Sequence, residues 1–349
     1  MLVETDLKTL KENVMTVKNI TGKKILFPVK ANAYGHGLKR VSLAVKDEVD
    51  GFWTATSKEA LIVKRATGKK TVVACALKKA YARLINAGVE ICVNSKEEYD
   101  EVYSTAKHMS KCAKVHISID TSMKRMGFDP GDDFSFLNKK EFVTPVSVCT
   151  HLSKSDNFFI RKTLKTFLPC VENIKRFTGK DLTTHIFASG AVETLLKSGK
   201  AIDGDYVRPG LLCYGIEQFF KIGVKPALKV FSVVLAVNKV EKGQSVGYGE
   251  KYVFDKDGYV FCVEGGYFDG IFPVFVGGYV EINKKKCKIV SVCMDCFSAF
   301  DTGRIAEKGD RVEIINENLT VKETARRQHR IPYELLTSFQ GRAIRRYRE

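Results

Sequence analysis

Eight short runs rich in β-branched and aromatic residues recur through the first two thirds of the chain, at 24–30, 50–56, 71–77, 90–94, 114–120, 145–151, 184–189 and 206–216. Helical patterns fill the gaps between them. A strand that returns to its sheet through a helix pairs in parallel with the strand before it, so the alternation predicts a parallel sheet. Eight such strands are the number that closes a TIM-type (β/α)8 barrel.

Punctuation between the runs agrees. "TSKEALIVKRA" opens with Thr56 and Glu59 in capping-box spacing, and "SKEEYDEVYSTA" repeats the device with Ser95 and Glu98. The longest helical pattern, 157–177, aligns Ile160, Leu164, Phe167, Val171 and Ile174, with Pro169 expected to kink or break it. After Gly223 the rhythm changes to alternating strands and turns, as in "ALKVFSVVLAVNKV" and "DKDGYVFCVE", with helix only near "VKETARRQ" and "PYELLTSF". We read a barrel over 1–222 and a mostly β domain over 223–349.

No apolar run approaches the roughly 18 residues of a membrane span, and "MLVETDLKTLKENV" is acidic and helical in pattern instead of basic then apolar. That reads as cytoplasmic, as do ten cysteines without a framework spacing. Cys293 and Cys296 have CxxC spacing, but a structural zinc site needs four ligands and no second pair exists, so no metal is expected. The net charge of +17 raises a nucleic-acid or membrane-surface partner. The basic residues are nevertheless dispersed, with a dense cluster only in "ETARRQHR" and "RAIRRYRE", which favours a solvated basic surface.

Active sites of these barrels lie at the C-terminal ends of the strands. Those ends carry Lys30, Arg125, His151, Ser189 and Arg208 with Gly210. A partly desolvated lysine beside other cations has a lowered pKa and a nucleophilic amine, which suits capture of the pyridoxal phosphate aldehyde. "FASGA" and "RPGLL" place a hydroxyl and a glycine after strands seven and eight, where such barrels bind phosphate. Singly each has a plainer reading: Ser189 as an N-cap, Gly210 as a bend, Arg208 as the partner of Asp203 or Asp205.

"FPVKANAYGHG" resembles the cofactor-attachment motif of the alanine racemase family, and the resemblance continues through "GFWTATSKEAL", "DTSMKRMGF", "CTHLSKSD", "DYVRPGLLCYGI", "GGYFDG", "VSVCMD" and "YELLTSFQGR". It implies a pyridoxal-phosphate-dependent racemase of alanine. Lys30 would hold the cofactor covalently and serve as one base; Tyr267, supplied by the partner subunit of a homodimer, would serve as the other. Tyr34, Ser189, Gly210 and Leu211 would serve the phosphate, His151 would lie against the pyridine ring, and Arg208 would donate to the ring nitrogen. Arg125 and the backbone amide of Met294 would meet the substrate carboxylate.

Three positions depart from the family pattern. Ser118 stands where many members carry a carbamylated lysine that orients the arginine, so Arg125 needs another orienting group. Ala188 replaces an asparagine. Gly341 replaces a tyrosine at the entrance, which implies a looser pocket open to serine or longer amino acids. Two rival readings compete with this one. A related basic amino acid decarboxylase requires a Gly-rich phosphate loop and a catalytic cysteine in its β domain, and no GGG occurs. A silent cofactor carrier or nucleic-acid-binding protein would follow from loss of a base, yet Lys30 and Tyr267 are both present.

Overall fold

A computed structural model describes residues 1–138 and 141–349. They form two compact units, one of residues 10–33 and 38–224, the other of residues 1–9, 34–37 and 225–349. Sequence rhythm suggests a single cut between 222 and 223; the division by contacts also assigns the first nine residues and 34–37 to the C-terminal unit. The reason at the N-terminus is a strand, β1 (Leu2–Asp6), where the sequence reads as helix. Its side chains Val3, Glu4 and Thr5 are buried, and the helix Leu7–Thr21 follows directly.

The first unit is the expected barrel. Strands β2 (Lys24–Pro28), β3 (Gly51–Thr54), β4 (Thr71–Val73), β5 (Glu90–Val93), β6 (Ala113–Ser118), β7 (Val143–Cys149), β8 (Thr183–Ala188) and β9 (Tyr206–Arg208) pair in parallel, each with its neighbour in sequence. Pairing of β2 with β9 closes the ring. The eighth run is shorter than the sequence suggests, because Pro209 ends it and a turn of helix starts at Gly210.

Local signals explain the surrounding helices. Thr56 and Glu59 form the expected capping box of the helix Ser57–Thr67, which Gly68 closes in the left-handed region at φ 70°. Ser95 accepts from the Glu98 amide at the start of Lys96–His108. The helix Asn157–Thr178 does not break at Pro169. Pro169 is exposed, so the carbonyl one turn earlier that loses its donor can turn to water.

The second unit is an eight-stranded sheet. Its strands are β1, β10 (Leu228–Val240), β13 (Gly258–Glu264), β14 (Tyr279–Ile282), β15 (Lys285–Val292), β16 (Cys296–Asp301), β17 (Arg311–Ile315) and β18 (Ile344–Arg348). The small pair β11 (Ser245–Val246) and β12 (Tyr252–Val253) stands apart. The order is β13-β16-β15-β14-β17-β10-β1-β18, and β10 also pairs with β13. One strand can do both because a register shift between Val234 and Ala236 redirects its second half.

Candidate active site

Lys30 stands two residues beyond the end of β2, half-buried at the barrel mouth. Its pKa is lowered, first by burial and then by the cations of Arg125 and Arg208. The sequence argument for a neutral amine at this strand end therefore has its electrostatic counterpart in the structure.

Immediately after Lys30 the backbone reverses hand. Ala31, Asn32, Ala33 and Tyr34 have φ of 53°, 56°, 54° and 51°. None is glycine, and left-handed helical geometry costs an L-residue roughly 1–2 kcal/mol. Side-chain acceptors hold part of the turn: Glu59 Oε1 accepts from Ala31 N at 2.7 Å, and Asn32 Oδ1 from Leu38 N at 2.8 Å. Glu59 Oε2 also accepts from Ala55 N and Thr56 N. One carboxylate thus caps a helix and clamps the turn that presents the lysine.

Arg208, 5% exposed on β9, lies in the barrel interior. Its NH2 donates to Thr150 O at 2.7 Å and Ile186 O at 3.2 Å, and sits 3.5 Å from His151 Nδ1. Its NH1 donates to His185 O at 2.7 Å and to His185 Nδ1. The guanidinium also stacks 5.1 Å over the Trp53 ring. Asp205, the acidic partner considered from sequence, accepts from the Thr184 amide at 2.7 Å. His151 is exposed at the strand end, yet its pKa is pushed down to about 3, first by loss of solvation among its neighbours and then by the cations of Arg208, Arg125 and Lys30. It is a neutral imidazole at working pH.

Arg125 is exposed, on a loop that Asp120 organises from the end of β6: Asp120 Oδ1 accepts from Ser122 N and Oδ2 from Arg125 N, at 3.0 and 2.9 Å. With Ser118 unable to be carbamylated, this carboxylate fixes the backbone that carries Arg125.

At the end of β8, one strand removed from β2 around the ring, Ser189 opens the helix Ser189–Lys197, whose N-cap, Ala188, makes no side-chain capping bond. Gly210 and Leu211 begin the short turn Gly210–Cys213, whose N-cap, Pro209, also makes none. Ser189 Oγ accepts from Leu212 N at 3.2 Å and ties the two starts together. First-turn amides have no intrahelical acceptor, so uncapped starts leave donors for an anion.

The remaining sequence-predicted residues belong to the second unit. Tyr34 is buried there, its ring 5.7 Å from that of Tyr333. Tyr267 opens a 3-10 turn, Tyr267–Asp269, and is 40% exposed; Met294, in the loop before β16, is 51% exposed. Backbone bonds zip turn and loop together: Tyr267 N to Cys293 O at 3.0 Å, Phe268 N to Met294 O at 3.3 Å and Gly265 N to Asp295 O at 2.9 Å. A Cβ on Gly266 would run into the carbonyl oxygens of Cys293 and Met294, so glycine permits the approach. Sequence reasoning missed Arg342, which joins both pieces through Asp269 (NH2 to Oδ2, 2.7 Å) and Asp295 (NH1 to Oδ1, 2.8 Å).

The open space expected at Gly341 is not there. Its φ is 41°, and a Cβ would run into the Phe268 carbonyl oxygen and lie 3.0 Å from Asp269 Cα. Glycine is needed where the C-terminal segment passes beneath the Tyr267 turn, so this residue gives no ground for a wider substrate range.

The family model for the alanine racemase N-terminal domain matches residues 5–218, and that for the C-terminal domain matches residues 227–347. The chain belongs to the alanine racemase family. Among curated members, the alanine racemase of Treponema denticola is 29% identical over 97% of this chain and 96% of its own, and that of Borreliella burgdorferi (strain ZS7) is 28% identical over 98% and 95%. Among solved structures, alanine racemase from D-cycloserine-producing Streptomyces lavendulae superposes with a TM-score of 0.93 at 27% identity, covering 100% of this chain and 97% of its own. The Bacillus anthracis enzyme with bound L-Ala-P gives 0.90 at 26%, covering 100% and 95%.

Alanine racemases depend on pyridoxal phosphate, and the donor set here fits that group. A lysine with a lowered pKa suits its aldehyde, uncapped helix starts suit its phosphate, and a buried guanidinium suits its ring nitrogen.

Proposed function

We propose that this alanine racemase family chain interconverts L- and D-alanine in the cytoplasm as a homodimer, with Lys30 of one subunit and Tyr267 of the other as the two bases. The observation that carries the reading is Lys30: a strand-end amine lowered by burial and two cations, at the same end of the barrel as the uncapped helix starts after β8 and β9. Bound pyridoxal phosphate supplies an aldehyde for amine capture and a conjugated ring that delocalises the charge left when Cα loses its proton.

The chain's own residues do the rest. Ser189, Gly210, Leu211 and Tyr34 would hold the phosphate, and neutral His151 would lie against the ring. Arg208, a permanent cation, would disfavour protonation of the ring nitrogen and so moderate the electron sink the cofactor supplies, which would suppress transamination. Arg125 and the Met294 amide hold the substrate carboxylate. Inversion needs proton exchange on both faces of Cα, at Lys30 Nζ on one and Tyr267 Oη on the other. Exposed apolar side chains around Tyr267, among them Phe268, Val274, Val276 and Tyr279, support a second copy as partner.

Borohydride reduction of the holoenzyme should fix pyridoxal phosphate on Lys30, and chiral chromatography should show L-alanine converging with its enantiomer. An adduct mapped to another lysine, or no interconversion of any amino acid, overturns the reading.

A further inference from the structure

Behind Arg208 runs a line of buried polar groups that the reaction does not use. His185 Nε2 lies 2.9 Å from His116 Nδ1, and His116 Nε2 lies 2.8 Å from Glu90 Oε2. Exposures are 1% for His185, 3% for His116 and 6% for Glu90. These residues come from β8, β6 and β5, which bring their side chains together inside the barrel.

One proton arrangement satisfies every link. Arginine has donors and no acceptor, so His185 Nδ1, facing Arg208 NH1, must offer a lone pair. Neutral His185 then carries its proton on Nε2 and donates to His116 Nδ1. That nitrogen must accept, so His116 carries its proton on Nε2 and donates to the Glu90 carboxylate. Protonating either ring would set two donors face to face. Burial pushes both imidazoles below their ordinary range; for Glu90, burial acts upward as the largest single influence, but the His116 bond and the neighbouring charges together outweigh it and the carboxyl is lowered. The cations flanking Glu90, Lys70 and Lys114, favour the same state.

We propose that Glu90 and His116 are positioning residues of the active site, which through His185 hold Arg208 in a single hydrogen-bonding state. The inference rests on the assignment of Arg208 to the cofactor ring nitrogen. A carboxylate only accepts, so it sets the direction of the whole chain; an amide can donate as well as accept. Glu90→Gln would let His116 reverse its tautomer, turn His185 Nδ1–H toward Arg208 and loosen the guanidinium.

The first test is nitrogen-15 NMR of the full-length chain labelled at histidine, with and without pyridoxal phosphate. His116 and His185, assigned through H116Q and H185Q, should both be neutral Nε2–H tautomers with no titration from about pH 5.5 to 8.5, well around the ordinary histidine range. A protonated ring or an Nδ1–H tautomer at either residue overturns the proposal. In Glu90→Gln the two tautomers should mix, the cofactor dissociation constant should rise and kcat should fall, each by about tenfold, the loss typical of outer partners that orient a functional group. KM for alanine should stay within about twofold, since the substrate contacts are untouched. Mixed tautomers with unchanged cofactor affinity and kcat would show that the chain does not position Arg208. Failure of the underlying assignment reads differently: Arg208→Glu would then leave the cofactor spectrum and the ratio of transamination to racemisation unchanged, which also overturns the inference.

Discussion

The two units present their candidate residues in opposite ways. In the barrel, Arg208 is buried and its cation, with that of Arg125, lowers the pKa of both Lys30 and His151, so these groups are described by what desolvation and neighbouring charge do to them. In the β-rich unit, Tyr267 and Met294 stand exposed on a backbone braced by hydrogen bonds and an arginine. One region tunes the chemistry of its groups; the other fixes their position. A residue of the second kind acquires its chemical role only from what it is brought against.

The largest effect should come from breaking both kinds at once. Lys30→Ala and Tyr267→Phe should each lose roughly 10²- to 10⁴-fold or more in activity as homodimers, the range of a lost general acid–base. Refolded together in equal amounts, about half the dimers are mixed, and each has one site with neither lesion, so activity should recover to about a quarter of wild type. Mixed dimers that form without regaining activity would show that both bases come from the same chain.

Next is the brace. Arg342→Ala leaves buried Asp269 without its bidentate partner and frees the Met294 loop from the Tyr267 turn. Activity should drop roughly ten- to hundredfold through misplacement, with Arg342→Lys recovering part of it. Because Lys30 lies in the other unit, borohydride trapping of the cofactor there should survive. Loss of trapping together with activity would erase the contrast between the units.

Tuning makes a prediction of its own in pH. Lys30 titrates lower in the folded chain than in the unfolded one, so the unfolded state binds more protons between the folded pKa and 10.5. Stability of the cofactor-free protein should therefore rise with pH through that window, and Lys30→Met should flatten the rise. His151 works the same way lower down: stability should fall as pH drops from 6.5 toward about 3, and His151→Gln should flatten that fall. Thermal melts across pH measure both, and unaltered profiles in the variants would show that neither group is tuned.

Much of the barrel was legible because its strands and caps are local. Alternation of β-branched runs with helical patterns, and Thr56 with Glu59, need only a few neighbouring residues to be read. The strand ends then located Lys30, Ser189 and Arg208. What escaped depended on distance or on absent signals. Glu90, His116 and His185 belong to separate strands that only the closed ring unites. The strand 2–6 pairs with 228–231 and 344–348, and nothing in "LVETD" forecasts either partner. By resemblance Gly341 reads as an entrance residue, yet its conformation is dictated by a turn about 70 residues away, the separation of the Asp269–Arg342 contact.

The smallest predicted effect concerns the left-handed turn. Ala31 is exposed, and Ala31→Gly should remove strain while costing some unfolded-chain entropy, a net gain of at most about 1 kcal/mol. Greater stability without a change in folding rate would sharpen the point, because the turn has a kinetic consequence. Four left-handed residues in succession have no local drive to form. They are held by Glu59, which must itself first be placed by the helix it caps, and by an Asn32 bond to Leu38. The segment should therefore be unformed in the folding transition state, so that substitutions in it change the unfolding rate and leave the folding rate alone. The lysine would be among the last parts of the barrel to reach its place and among the first to leave it.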